Sequence, residues 1–174
     1  METALEHTLT HCYKEEMIAF VATHPEAFDE GIKLALTDRH PYSWRAAWLL
    51  WSCMVENDPR IKRHIKDIIK VIKLKKDGHQ RELIKILLMM ELPEKYEGPL
   101  FDLCTTLWED ISKVPSVRWI ALKMIVKITK KHPELEDEIS FLIQDHFMET
   151  LSPGIRNSIN RMFTEFNKKK INSR

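Results

Sequence analysis

The twelve residues VPSVRWIALKMI, at positions 114–125, carry the clearest structural signal in the chain. Pro115 is a residue that opens helices, and Arg118 follows within the first turn. Three, six and seven residues after the arginine stand the apolar Ala121, Met124 and Ile125. This spacing places the three side chains on one face of an α-helix. The stretch therefore predicts a helix over about 116–131 with one packed side.

The same arrangement recurs along the chain. Arginines stand at spacings of 36, 37 and 38 residues within PYSWRAAW, GHQRELI, VPSVRWIA and SPGIRNSI, as Arg45, Arg81, Arg118 and Arg156. Eleven of the twelve positions three, six and seven residues after them are apolar: Trp48, Trp51 and Ser52; Ile84, Leu87 and Leu88; Ala121, Met124 and Ile125; Ile159, Met162 and Phe163. The pattern predicts four second helices, over about 43–56, 79–91, 116–131 and 154–167.

Prolines mark the starts of the first helices, each of which precedes one of these second helices. Pro25, Pro59 and Pro93 are 34 residues apart, and Pro99 and Pro133 are again 34 apart, so the insertion PEKYEG interrupts one period. Proline fits the first turn of a helix, where its missing N–H would have no partner. We expect first helices near 25–36, 59–75, 99–112 and 133–149, and an additional N-terminal helix near 5–23.

Composition agrees with a helical domain. Of the 174 residues 44% are hydrophobic and 30% charged, and only four are glycine. The three cysteines, Cys12, Cys53 and Cys104, fit no metal-binding spacing and favour a reducing compartment. The sequence has no apolar run long enough to span a membrane, and its first residues lack the basic and apolar regions of a signal peptide, so we expect a soluble protein that is not exported. We predict a single cytoplasmic all-α domain over 1–167 and a flexible basic tail over 168–174.

These residues resemble a known family. VPSVRWIALKMI, through Pro115, Val117, Arg118, Ala121 and Met124, and SPGIRNSINRMF more loosely, are similar to the second helix of HEAT repeats. GHQRELI departs from the pattern at Gln80. The resemblance covers about 25–167. It implies a right-handed α-solenoid of about four helical hairpins, with the N-terminal helix added and the second helices lining the concave side.

The arginines and tryptophans allow two interpretations each. Arg45, Arg81, Arg118 and Arg156 could form a ladder for phosphates or carboxylates, but a residue present in every repeat favours a structural role at turns and helix ends. Trp44, Trp48 and Trp51 share one stripe, and Trp48 and Trp51 fall on predicted core positions. We therefore favour a core role over an aromatic ligand pocket.

Trp119 is expected to face outward, because it lies about 100° round the helix from Arg118. Positions one, five and eight residues after each arginine share this face and are mostly apolar in the first three hairpins. An exposed apolar strip marks a binding surface. The hypothesis is that a protein or peptide partner binds Leu50, Ile86, Met89, Trp119, Lys123 and Arg161. Burial of the strip by tight curvature or self-association is an equal alternative, and the oligomeric state stays open.

Other functions have weaker support. The net charge is +1, although residues 60–81 carry +7 and Lys62, Lys66, Lys70 and Lys73 line one helix face. We favour a solvated face over a nucleic-acid site. His7, His11 and Cys12 have no third ligand at a recognised spacing, so we interpret them as part of a frayed terminal helix and expect no metal, cofactor or catalytic residue.

One enzymatic alternative follows from architecture. Alkylpurine DNA glycosylases of bacteria are built from HEAT-like repeats, and this chain is similar in design. A DNA-binding or DNA-repair function would need a carboxylate near Trp119. Glu82 is the acid that the helical projection places there.

Overall fold

The computed structural model describes residues 2–172, with side chains for residues 2–166. In this part of the chain there are twelve α-helices, one 3₁₀ turn and no strand. The helices are α1 (Ala4–His11), α2 (Lys14–Thr23), α3 (Pro25–Ala35), α4 (Tyr42–Cys53), α5 (Pro59–Lys62), α6 (Ile65–Ile72), α7 (Asp77–Leu88), α8 (Glu94–Glu109), α9 (Pro115–Thr129), α10 (Glu136–Leu142), α11 (Asp145–Met148) and α12 (Pro153–Asn172); the 3₁₀ turn is Pro133–Leu135.

Helices that follow one another in the chain pack as pairs. Helix α3 packs on α4, α6 on α7, and α8 on α9. The second members also contact each other in chain order, α4 with α7 and α7 with α9, while α1 and α2 pack against α3 and α4. The hydrophobic core is therefore shared along a row of helices, which confirms the predicted all-α class.

Several predicted helices are divided or longer than expected. The N-terminal helix is broken after His11, and the first helices predicted over 59–75 and 133–149 each consist of shorter pieces. Pro99 was expected to open a helix, but it lies inside α8, which begins at Glu94. Helix α12 continues to Asn172, so most of the predicted tail is helical in its backbone; Ser173 and Arg174 lie outside the described residues.

Lysines tie neighbouring pairs together at the ends of helices. Lys75 Nζ donates to the carbonyls of Leu36 and Thr37, at 3.1 and 2.7 Å, just after α3. Lys127 Nζ donates to the carbonyls of Leu88 and Met90, at 2.6 and 2.7 Å, where α7 ends. The last carbonyls of a helix lack partners within it and carry partial negative charge, so a cation there stabilises the end.

Two aspartates in the turns have the same linking role. Asp38, after α3, accepts a hydrogen bond from Lys75 Nζ at 2.7 Å. This bond and the charge of Lys75 lower the pKa of the Asp38 carboxyl. Asp77 opens α7 and accepts from Lys113 Nζ at 2.8 Å and from the Val114 N–H at 2.9 Å. Although burial raises the pKa of Asp77, the bonds from Lys113 and Val114 outweigh it and the net shift is downward. Each aspartate thus binds a lysine from the next pair.

A buried glutamate, Glu97, links the start of α8 to the residues that follow α9. Glu97 in the first turn of α8 accepts from Lys131 Nζ at 2.7 Å and lies 2.6 Å from His132 Nε2. The bond to Glu97, together with Glu134, raises the pKa of His132 above its ordinary value of 6.5. Protonated His132 therefore stabilises the folded state.

This contact predicts a loss of stability with rising pH. The contribution of His132 is fully present below pH 6.5, the unfolded value, and disappears as the pH rises through the raised folded pKa. We expect the difference in urea midpoint between wild type and His132→Gln to shrink between pH 6 and pH 8.5. His24→Gln, which removes an exposed histidine that stacks on Phe20, is the control. A difference that is constant with pH contradicts the prediction.

Among the described residues, none of the helices combines the length and the hydropathy that crossing a membrane requires.

Candidate functional site

The pattern of buried and exposed residues shows which positions of α4, α7 and α9 are equivalent, and these positions differ from those that the arginines indicate. Ser43, Gln80 and Arg118 are buried, and each is followed by a half-exposed residue, Trp44, Arg81 or Trp119. Four residues further on, the exposure recurs at Trp48, Lys85 and Lys123, with buried positions on either side. We call the exposed stripe formed by these six residues the second-helix face. Gln80, rather than Arg81, is therefore the equivalent of Arg118 in α7.

The four arginines accordingly have different environments. Arg118 is 0% exposed and donates through Nε to the Trp108 carbonyl at 2.8 Å. Arg81 is half-buried and pairs with Glu82 at 2.6 Å, Arg45 lies 5.5 Å from the Trp44 ring, and Arg156 is exposed. They do not form one ladder of equivalent positions. The structural interpretation holds for Arg118, which binds the end of a helix as expected.

The predicted apolar strip is only partly exposed. Leu50 and Ile86 are buried, at 4% and 0% exposure, so their expected place on an open surface is wrong. Met89 is half-buried. The error has a geometric cause: counting from Arg81 instead of Gln80 displaces the face by one residue, which is about 100° on a helix. In α4 the displacement is two residues.

Three of the predicted residues do come together. Trp119, Lys123 and Arg161 line a groove of about 300 Å³ between α9 and α12, which also includes Ser158, Met162 and Glu165. Lys123 Nζ lies 4.7 Å from the centre of the Trp119 ring. Trp119 is half-exposed, and Lys123 and Arg161 are exposed. The groove thus offers an aromatic surface beside two cations.

Glu82 does not stand in this groove. It is fully buried and accepts from Trp51 Nε1 at 2.5 Å, from Arg81 Nε at 2.6 Å and from Lys85 Nζ at 3.2 Å. Lys85 Nζ also lies 4.3 Å from the centre of the Trp51 ring. Glu82 is therefore the counter-ion that fixes two cations of α7 against α4. The expectation that it is an available acid beside Trp119 is wrong.

A larger cleft lies at the other end of the second-helix face. It has a volume of about 540 Å³ and is lined by residues of the turns before α4 and α7 and of their first turns: Asp38, His40, Ser43, Trp44, Leu74, Lys76, Gly78, His79 and Arg81. Leu74 is 69% exposed. His79 Nε2 lies 2.8 Å from the Ala35 carbonyl, and burial lowers the pKa of His79.

This cleft was not predicted from the sequence, because the tryptophan stripe of α4 was interpreted as part of the core. Trp44, Trp48 and Trp51 are all half-buried and form one edge of α4, whereas Ala46, Ala47, Leu49 and Leu50 are buried on the opposite side. The separation between the two sets is readable in the sequence. Small and aliphatic residues at 46, 47, 49 and 50 already define a complete packed face.

Paired helices whose second members stack in chain order define a helical repeat protein. The family described as HEAT repeat domain matches residues 1–166, and the chain belongs to that family. Searches of curated proteins and of solved structures gave no significant match.

Proposed function

We propose that this chain is a non-enzymatic interaction module of the cytoplasm that binds a protein partner along the second-helix face. In this proposal the helical pairs form a right-handed solenoid of about four hairpins, and the second-helix face lies on its concave side. HEAT repeats commonly mediate protein interactions, which supports the general class.

One observation carries the proposal: tryptophans and cations lie partly exposed along successive second helices, although Glu82 already pairs with the two cations of α7. Trp44 and Trp48 contribute from α4, Arg81 and Lys85 from α7, and Trp119 with Lys123 from α9. Tryptophan and arginine are the residues that most often dominate the binding energy of protein interfaces. Half-exposed aromatic rings grouped on one surface are a feature of protein interaction sites.

The charge of the groove between α9 and α12 indicates the chemistry of that partner. Lys123 and Arg161 line it together with the single carboxylate Glu165. An acidic segment carrying an apolar or aromatic side chain complements this arrangement, because its carboxylates pair with the cations and its apolar group packs on Trp119. We therefore propose an acidic peptide segment of a protein as the ligand.

Exchange of Trp119 for glutamate tests the proposal. The change removes the aromatic surface and adds a charge that repels an acidic ligand, so we expect the partner's affinity to fall about thirtyfold or more. Affinity capture from native extract identifies the partner, and titration of the purified partner measures the affinity. Far-ultraviolet circular dichroism checks that helicity is preserved.

Phe141→Glu is the matched control. Phe141 is an exposed aromatic residue on α10, at 64% exposure, outside the second-helix face. We expect this variant to bind the partner as wild type does. Equal loss of binding in the two variants, or full binding by Trp119→Glu, would contradict the proposed surface.

Nucleic acid is a second candidate because of one exposed cationic surface. Lys62, Lys66, Lys70 and Lys73 are all exposed on α5, α6 and their ends, opposite the buried Ile61, Ile65, Ile68 and Ile72. Binding to DNA through four phosphates gives a slope of about −3.6 for log affinity against log salt. A labelled DNA duplex titrated at several salt concentrations measures this slope, and a flat response excludes this candidate.

A repair activity also needs an accessible acid, and Glu165 lines the groove beside Trp119.

A further inference from the structure

Two histidines and a glutamate converge at the start of the chain. His7 and His11 are one turn apart on the exposed side of α1, and their rings stack with centroids 4.2 Å apart at an interplanar angle of 14°. Glu2 lies just before the helix, with Oε2 3.7 Å from His7 Nδ1. The ligand atoms of the three residues lie within 4.8 Å of one another. We propose that they form a binding site for a divalent transition metal ion such as zinc.

The helix that carries the histidines is well held. Thr3 and Glu6 form a reciprocal capping box at its start, and Leu5 and Leu9 are 1% and 0% exposed in the core. The expectation of a frayed terminal helix is therefore wrong. Because the backbone is fixed, the two imidazoles have a defined spacing before any ion binds, which lowers the entropy cost of binding.

Neighbouring groups orient two of the three ligands. His11 Nδ1 lies 3.1 Å from the His7 carbonyl and 2.9 Å from the Thr10 hydroxyl, so with a proton on Nδ1 the lone pair of Nε2 is free for a metal. Glu2 Oε1 accepts a hydrogen bond from the Tyr42 hydroxyl at 3.0 Å, which leaves Oε2 on the side of His7. Contacts of this kind position metal ligands in known sites.

The donor set determines which ions fit. Two imidazole nitrogens and one carboxylate oxygen suit zinc, nickel or copper, whereas magnesium and calcium prefer oxygen alone. Zinc binds such donors at about 2.0–2.1 Å, so tetrahedral ligands stand roughly 3.3 Å apart. Closing the cluster by about 1.5 Å requires only rotation of exposed side chains. The fourth position is left to water.

Calorimetric titration of zinc chloride into the metal-free full chain tests the proposal. We expect one ion per chain, and His7→Ala, His11→Ala and Glu2→Gln should each weaken binding about tenfold or more, since removing even a residue that only orients a ligand costs about that much. Zinc should also raise the thermal midpoint of wild type, and a chelator should reverse the shift.

The chain contains a matched control. His24 directly follows α2, and its local contacts match those of His11 at the end of α1: its Nδ1 lies 3.0 Å from the Phe20 carbonyl and 3.0 Å from the Thr23 hydroxyl, and its ring stacks on Phe20 with centroids 4.3 Å apart. This arrangement has a phenyl ring where α1 has a second imidazole. We expect His24→Ala to bind zinc as wild type does.

Three results would overturn the site. The first is that wild type does not bind zinc at all, the second is that His11→Ala and His24→Ala weaken zinc binding equally, and the third is that Glu2→Gln leaves zinc binding unchanged. A Cys12→Ser variant tests the nearby thiol, and loss of zinc in that variant with retention in His7→Ala also contradicts the proposal.

Discussion

Replacement of Arg118 by alanine is expected to lower the free energy of unfolding by about 3–5 kcal/mol. The guanidinium is fully buried and donates to the Trp108 carbonyl at 2.8 Å, to the Thr150 hydroxyl at 2.7 Å and to the Phe147 carbonyl at 2.5 Å. Alanine leaves these acceptors without their donor in a site closed to water and adds a cavity. Urea unfolding followed by circular dichroism measures the change.

Arg156→Ala is the control for this prediction. Arg156 belongs to the same sequence series but is exposed on α12, so its loss should change the stability by no more than about 0.5 kcal/mol. Arg118→Lys keeps the positive charge but not the planar geometry of the guanidinium. Because a single ammonium cannot reach three acceptors, we expect this variant to recover only part of the stability that Arg118→Ala loses. Similar effects of Arg118→Ala and Arg156→Ala would contradict the structural role of Arg118.

The size of this effect follows from where Arg118 binds. Trp108 and Phe147 belong to the last turns of α8 and α11, and Thr150 follows α11, so the Arg118 side chain joins the pair α8 and α9 to the next segment. Trp108 strengthens the same junction, because its ring lies 4.8 Å from the guanidinium and its Nε1 donates to the Leu142 carbonyl at 2.6 Å. Burial lowers the pKa of Arg118, and helix-end carbonyls compensate its charge.

Much of the fold was predictable because repeated packing imposes a repeated spacing. Each second helix must present an apolar face to its partner and to the next pair, and this requirement produced the recurring positions around Ala121, Met124 and Ile125. The starts of α3, α4, α5, α9 and α12 lie within one residue of the predictions. These are the places where proline or turn residues mark the beginning of a helix.

The orientation of each helix about its own axis, which decides which side is packed and which is exposed, was harder to predict, because three faces of a buried helix can be apolar at once. Helix α7 is buried at 82, 83, 84, 86 and 87, so periodicity alone does not show which side touches α4 and which is exposed. Taking Arg81 as the equivalent of Arg118 selected a wrong side. In α9 the arginine is the true marker, and for this reason the outward direction of Trp119 agreed with the structure.

The metal ligands illustrate a different limit. The spacing of His7 and His11 is visible in the sequence, but Glu2 precedes the helix and has no fixed spacing relation to them. Its position depends on the capping turn at Thr3 and on Tyr42, which comes from α4 and is 40 residues away in the chain. A tertiary contact of this kind has no sequence signal when one chain is considered by itself.

The largest correction to the predicted site, the burial of Ile86, leads to the second strong prediction. Ile86 is 0% exposed, in α7 between α4 and α9. Truncation to alanine removes three carbons from a packed interior, and we expect a loss of about 2–5 kcal/mol in the free energy of unfolding. If Ile86 belonged to an exposed binding strip, the loss would be within about 0.5 kcal/mol.

Met89→Ala is the matched comparison, since Met89 was predicted on the same strip but is half-buried at the end of α7. Its flexible side chain loses less contact on truncation, so we expect a change of about 1 kcal/mol or less. Urea unfolding of both variants at one pH gives the two values. A loss of no more than about 0.5 kcal/mol for both variants would show that the helix orientation counted from Arg81 is right and the one counted from Gln80 is wrong, because the Arg81 count places both side chains on an exposed strip.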